Sequence, residues 1–276
     1  VYAAPSAQRR AFVAVRPPGH HAGPRGRVIG PDGDGASSQG FCLLNSVAIA
    51  AAYARYNYRG LIERVAIVDF DAHYGDGTAA IILNLVPGTH RTSFGHGLQI
   101  SMPTYKPWLD ETDPDKVFFG SVHLQHEGFY PDHSLGIEGS APGMKHIVSV
   151  PLSHGTKSVE FRRLVAKLLL PRLALFKPDL ILVSAGFDGH KDDVQGNGGG
   201  LQLLDEDYTW ITKELVNIAD KYSQGRLISV LEGGYDVPPD AARKSRSGSV
   251  NMHPPPNGAL ASSVAAHVKA LCAPPL

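Results

Sequence analysis

Short, continuous apolar runs punctuate the chain: AFVAV at 11–15, VAIVDF at 65–70, HIVSVPL at 146–152, DLILVSAG at 179–186 and RLISVLEGG at 226–234. Continuous rather than alternating hydrophobicity predicts strands buried on both faces, as in a parallel sheet covered by helices. Between the runs lie helix-like stretches. LLNSVAIAAAYARY (43–56) is Ala-rich, and SVEFRRLVAKLLLPRLALF (158–176) carries apolar residues at helical spacing, with Pro171 as a kink or break. DEDYTWITKELVNIADKY (205–222) opens with acidic residues, which favour a helix N-terminus, and GALASSVAAHVKAL (258–271) reads as a closing helix. The alternation predicts one doubly wound α/β domain over 1–276 with a central, mostly parallel sheet. Ligands in such folds collect at the carboxyl ends of the strands.

Three stretches exceed ordinary connection lengths: 21–40, 102–116 and 236–258, rich in Gly, Pro, Ser and Asp. Of the 276 residues 43% are apolar, enough for a substantial core. Lys+Arg and Asp+Glu both total 26, so the basic excess of a nucleic-acid footprint is missing and no direct nucleic-acid binding is expected. No run reaches the ~18–20 apolar residues of a membrane helix, and no stretch resembles a signal peptide, so a soluble intracellular protein is expected. Of the two cysteines, Cys42 lies in an apolar run and reads as a buried thiol rather than half of a disulfide.

The chemistry sits where the apolar runs stop. VDFDAHYGDG (68–77) places Asp69, Asp71 and His73 at i, i+2 and i+4, on one face if the strand continues. Like-facing carboxylates at a buried strand end need neutralising, and carboxylate plus imidazole is a Zn²⁺ ligand set. A turn at the surface fits the same pattern. LILVSAGFDGH brings Asp188 to a second strand end. Two carboxylates and an imidazole leave a coordination position for water, the mark of a catalytic metal. For Asp188 alone, a turn cap is the simpler account. RPPGHHAG (16–23) supplies His20 and His21 in a Pro/Gly frame, with side chains that titrate near working pH. LEGGYD (231–236) ends another strand: Gly234 lets the backbone approach a ligand, and the Tyr235 hydroxyl can donate to a developing oxyanion.

In this order the pieces RPPGHHAG, GFCLLNSVAIAA, VAIVDFDAHYGDGT, GFYP, LVSAGFDGH and LEGGYD resemble the zinc-dependent histone deacetylases, the class II members most closely, from Arg16 to Asp236. The resemblance implies an arginase/deacetylase-like α/β fold and hydrolysis of acetyl-lysine amides in proteins, histones or others, in the nucleus, the cytoplasm or both. By position, Asp71, His73 and Asp188 would hold the zinc ion, and His20 and His21 would flank the catalytic water. Asp69 would orient His20, Asp76 would orient His21, and Tyr235 would stabilise the oxyanion. Phe41 and Tyr130 would wall a tunnel for the lysine stem. A structural potassium ion would use Asp69, Asp71, His73, Ser121 and Val122, partly through carbonyls. Departures are Tyr74 in place of a second His and Tyr130 in place of a Phe. The resemblance also implies that the N-terminal part of the family domain is absent here, and with it a rim aspartate that holds the substrate backbone.

Three rival readings stay open. A two-manganese ureohydrolase shares the DAHYGD strand but needs a carboxylate two residues before Asp188, where Gly186 stands. An acetylpolyamine hydrolase of this fold uses an acidic gate seven positions after the metal Asp; here that residue is Gln195, with Asp192 and Asp193 nearby. A non-catalytic binding module would have lost catalytic positions, and none is lost.

Overall fold

The computed structural model describes residues 9–24, 26, 40–93, 95–131, 146–236 and 258–274. The elements of the first half are β1 (Arg10–Val13), α1 (Ser46–Asn57), β2 (Val65–Asp69), α2 (Asp76–Leu83), β3 (Thr89–Ser93), β4 (Gln99–Pro103), α3 (Asp113–Lys116) and β5 (Val117–Leu124). The second half has β6 (Ile147–Leu152), β7 (Thr156–Lys157), α4 (Ser158–Leu164), α5 (Leu170–Phe176), β8 (Leu180–Ala185), α6 (Val194–Asn197), β9 (Leu201–Gln202), α7 (Asp205–Tyr222), β10 (Leu227–Leu231) and α8 (Ala259–Leu271).

The main sheet has six strands in the order β1-β10-β8-β2-β5-β6, and every pairing is parallel. Parallel pairing brings all carboxyl ends to one edge. Alternate residues of each strand enter separate cores, as the continuous apolar runs require. On β2, Val65 and Ile67 pack with Val47, Ala51 and Ala54 of α1 and with Ala79 and Ile82 of α2. Ala66 and Val68 face the other layer, with Phe161, Leu173, Ile211 and Leu215. Helices therefore cover both faces, and the doubly wound reading holds.

The structure differs from the pattern-based reading in three places. First, β5 is an interior strand, between β2 and β6, yet no apolar run marked it. Its sequence VFFGSVHL is broken by Gly120, which reads as an interruption. A Cβ at Gly120 would stand 2.3 Å from Leu169 Cδ1, so helix and strand meet there too closely for a side chain. Second, the long segment 102–116 is not all loop. It begins in the two-stranded antiparallel hairpin β3–β4 and ends in α3, where buried Asp113 accepts from the main-chain N–H of Trp108, Leu109 and Asp110 and from Arg55. Third, helix 158–176 does not break at Pro171. A π-helical stretch, Val165–Leu169, precedes it, and Pro171 falls in the first turn of α5, where a missing N–H costs little. The expected loops 21–40 and 236–258 lie mostly outside the described residues. No helix among the described residues is long and apolar enough to cross a membrane.

Candidate active site

Four adjacent strands of the sheet feed one edge: β1 leads to the tandem histidines, β2 to Asp69–His73, β8 to Asp188 and β10 to Glu232–Tyr235. The expectation that Asp69, Asp71 and His73 share a strand face needs correction. β2 ends at Asp69 and the chain bends beyond it. The bend follows from side-chain acceptors placed two residues before their donors: Asp69 Oδ1 takes the Asp71 N–H at 3.1 Å, and Asp71 Oδ1 takes the His73 N–H at 2.9 Å.

The bend aims three ligand atoms at one point. Asp71 Oδ2 is held by the Gly233 N–H at 2.7 Å, and Asp188 Oδ1 by the Ala72 N–H at 2.9 Å. The other oxygens, Asp71 Oδ1 and Asp188 Oδ2, each lie 3.0 Å from His73 Nδ1. One ligand atom from each of the three residues lies within 4.8 Å of the others. Asp71 and Asp188 are buried, and the ion pairs they make among the described residues are with histidines, not with Lys or Arg. A carboxylate pair buried without a permanent cation is unfavourable unless something positive joins it. One divalent cation fits this donor set and this charge. A bridged pair does not, because a Cβ at Gly186 would stand 2.0 Å from Asp71 Oδ2, which leaves no room for another carboxylate.

The tandem histidines stand beside this point with rings 4.0 Å apart. His20 Nδ1 is 2.9 Å from Asp69 Oδ2, and His21 Nδ1 is 2.6 Å from Asp76 Oδ1, at the start of α2. Their environments push them apart. Burial disfavours charge on His20, but Asp69 and Asp71 outweigh it and hold its pKa well above the ordinary value. Burial and the neighbouring His20 lower His21 to about 4, against the opposing pull of Asp76. The two imidazoles are thus biased in opposite directions, His20 towards the charged form and His21 towards the neutral one, the division of labour that acid–base chemistry needs. Tyr130 shares the second pair: its hydroxyl donates to Asp76 Oδ2 at 3.1 Å, and its ring stands edge-on to His21 at 4.8 Å.

Tyr235 lies partly buried next to the ligands, and burial, with Asp71 and Asp188 behind it, raises its pKa so that the phenol keeps its proton. The carbonyl of Gly234 accepts from Arg16 Nη2 at 2.7 Å, and Arg16 also lies 5.7 Å from the Tyr235 ring centroid. Phe41 is exposed, with its ring 6.2 Å from that of Tyr235. Gln195 is exposed on α6. Of its acidic neighbours, Asp192 is exposed beside Lys191, whereas Asp193 is fully buried and turned away from solvent. Among the residues linked with potassium, Ser121 pairs with Asp69 in the β2–β5 register and Val122 is buried beside it.

Sequence reasoning passed over Glu232 and Phe129, and it placed Asp193 near the gate rather than behind Tyr235. Glu232, fully buried, accepts from the N–H of Gly19 at 2.6 Å and of His20 at 3.2 Å and from the Ser184 hydroxyl at 3.0 Å, which ties the histidine loop to β10. Burial raises its pKa to about 7. A carboxylate directly after an apolar run, the signal that singled out Asp69, was present in LEGGYD as well. Phe129 stacks on His73 with ring centroids 4.6 Å apart, so both aromatic residues of GFYP line the site. Asp193 reaches Tyr235 through the main chain, a contact that no spacing rule anticipates.

A profile of the histone deacetylase domain matches residues 2–250. The chain is 39% identical over 238 residues to type-2 histone deacetylase 2 of Dictyostelium discoideum, a match that covers 84% of this chain and 12% of that protein. It is 33% identical over 228 residues to a probable deacetylase of Archaeoglobus fulgidus, covering 82% of this chain and 50% of the relative. The chain thus spans half or less of the length of these relatives. Among solved structures, the HD domain of HDA15 superposes with a TM-score of 0.63 at 26% identity, covering 95% of this chain and 55% of that one. An acetylpolyamine aminohydrolase from Burkholderia pseudomallei superposes with a TM-score of 0.61 at 23% identity, over 95% of this chain and 56% of that one, a likeness of fold.

Proposed function

The chain belongs to the histone deacetylase family, and from that premise we propose that it hydrolyses the amide of acetyl-lysine in proteins, releasing acetate and the free lysine side chain. The observation that carries this reading is the convergence of Asp71, His73 and Asp188 beside the tandem histidines, each held by its own carboxylate. We assign Asp71, His73 and Asp188 to one Zn²⁺. The chemistry such an ion supplies when bound is Lewis acidity towards a carbonyl oxygen and a lowered pKa for water. The protein's own groups do the rest. His21, neutral and with Nδ1 engaged by Asp76, accepts the proton of the attacking water at Nε2 and returns it to the leaving amine. His20, charged and held by Asp69, keeps a positive group beside the reacting carbonyl. Tyr235 keeps its phenolic proton and donates to the oxyanion. Phe41 with Tyr130 and Phe129 forms the apolar wall for the lysine stem. Asp69, Asp71, His73, Ser121 and Val122 are assigned to a structural K⁺ on the family resemblance alone. The natural substrates are taken to be acetylated histones or other nuclear or cytoplasmic proteins.

Peptide lysine is favoured over acetylpolyamine because the gate position carries neutral Gln195, and Asp193 is buried in the fold. A polyamine is a flexible cation, and selecting it calls for an anion at the mouth. The test is kcat/KM for an acetyl-lysine peptide and an acetylated polyamine, in wild type and in Gln195→Glu. The peptide should be preferred by wild type, and the substitution should move the ratio towards polyamine by up to about tenfold, or ~1.4 kcal/mol. Wild-type preference for the polyamine would refute the assignment.

A further inference from the structure

The short helix α6 is built into the site although none of its side chains belongs to the ligand set. Asn197 Nδ2, at its C-terminal end, donates to the main-chain oxygens of Asp188 at 2.6 Å and His190 at 3.0 Å. Gly196 fills the gap between two site residues: a Cβ there would stand 2.3 Å from Asp188 Cβ and 2.9 Å from Tyr235 Cδ2. Asp193, the N-cap, spends one carboxylate oxygen on the helix, accepting from the Gly196 N–H at 3.0 Å. Its other oxygen leaves the helix and accepts from the main-chain N–H groups of Tyr235 at 2.5 Å and Asp236 at 3.0 Å. The side chain is fully buried, and all three of these donors are main-chain amides. A capping role needs only the first of these bonds. The other two fix the segment that carries the oxyanion donor, which has left β10 and lies beyond Gly234 at a φ of +126°, where glycine alone is unstrained.

We propose that Asp193 is a positioning residue for the hydrolytic reaction: by clamping the main chain of Tyr235 and Asp236 to α6, it sets the phenol at a fixed distance from the Asp188 side of the site. This rests on the role given to Tyr235 above. The clamp joins two chain segments that flank the same reacting atoms, one ending in a metal ligand and the other in a proton donor. Without it, the Tyr235 N–H would lose its acceptor, and the segment would be held only at its flanks, by the contacts of Gly233 with Asp71 and Phe187, of Gly234 with Arg16 and of Asp236 with the start of α8. Positioning of this kind affects turnover rather than substrate affinity, because the phenol meets its partner only as the oxyanion forms.

The test uses the zinc-loaded protein and the variants Asp193→Ala, Tyr235→Phe and the two combined. Amide hydrogen exchange is followed in the segment 233–236 alongside deacetylation of an acetyl-lysine peptide. In Asp193→Ala, exchange of the Tyr235 and Asp236 amides should accelerate while β2 and β8 stay protected. The same variant should lower kcat by about 10- to 100-fold, the scale of losing a buried charged acceptor, with KM held within about threefold. In the Tyr235→Phe background, the same change should cost less than about threefold, because residues that act through one another are not additive. Unchanged exchange at 233–236, or an equal loss of kcat in both backgrounds, would overturn the proposal. Should Asp193→Ala fail to fold, Asp193→Asn keeps one acceptor oxygen and must show the same pattern at smaller amplitude. A wild type inactive on acetyl-lysine would refute the deacetylase reading instead, and the exchange result would still decide the role of Asp193.

Discussion

Two sets of buried histidines contrast in this molecule, one at the carboxyl edge of the sheet and one between β10 and the helices behind it. His20 and His21 at the edge, and His267 on α8, are all almost completely buried. Their partners differ in kind. The edge pair faces Asp69, Asp71, Asp76 and, through the main chain, Glu232. Among the described residues the hydrogen-bond partners of His267 are hydroxyls: its Nδ1 lies 2.6 Å from Thr212 Oγ1, and its Nε2 lies 2.8 Å from Ser229 Oγ. Thr212 Oγ1 already donates to the Tyr208 carbonyl, so it accepts from Nδ1–H, and Ser229 donates to Nε2. Every group is satisfied, and burial alone lowers the pKa of His267 to about 4. The edge cluster cannot balance itself in this way. Its carboxylates exceed the protein cations that reach them, and the oxygens of Asp71 and Asp188 that face His73 converge on one spot. Burial makes a histidine structural when neutral partners complete it, and makes it part of a reactive site when charge is left over for a ligand.

The contrast can be broken first at the edge. Tyr235→Phe should lower kcat on an acetyl-lysine peptide by about 10²–10³, the usual cost of one oxyanion donor, while zinc content and thermal stability stay unchanged. Near-normal turnover would remove Tyr235 from the reaction.

The core cluster should respond to acid in stability. The pKa of His267 in the folded protein, about 4, lies below its ordinary value of 6.5, so between these values the unfolded chain binds more protons. Stability is therefore fully present above pH 6.5 and is lost as pH falls towards 4. Urea unfolding should show about 2 kcal/mol lost to this group between about pH 7.5 and pH 5, and His267→Gln should flatten that part of the profile without affecting zinc binding. An acid limb unchanged in the variant would mean that His267 is not the group responsible.

The smallest effect is expected where the edge cluster is most nearly neutral. Tyr130→Phe removes one hydrogen bond to Asp76, which keeps His21, so kcat should change by less than about tenfold, the value of one modest hydrogen bond. A loss as large as that of Tyr235→Phe would make Tyr130 a direct participant.

How much of this was legible in the sequence varied with the kind of signal. The strand ends stood out because polar chemistry directly follows unbroken apolar runs, as with Asp69 after VAIV and Asp188 after LILVSAGF. The parallel sheet followed from those runs. The interior strand β5 was hidden because Gly120, which lets helix and strand approach, and polar Ser121 interrupt its apolar run. The short helix α2 escaped notice because its first turn, DGT, reads as the tail of the metal motif. Glu232 carried the same signal as Asp69 but stood beside the more conspicuous Gly-Gly-Tyr. The inward turn of Asp193 depends on where β10 releases the chain, a tertiary fact with no local pattern. Asp192 and Asp193 are neighbours of one residue type, and only the fold separates the exposed one from the buried one.

The central claim is a single metal held by Asp71, His73 and Asp188 at the centre of an amide-hydrolysing site, and zinc titration of the metal-stripped protein tests it most directly. Acetate release from an acetyl-lysine peptide should rise with added zinc and level off at one equivalent per chain, and Asp188→Asn should neither retain the ion nor release acetate. A plateau at two equivalents, or full activity in Asp188→Asn, would contradict the account.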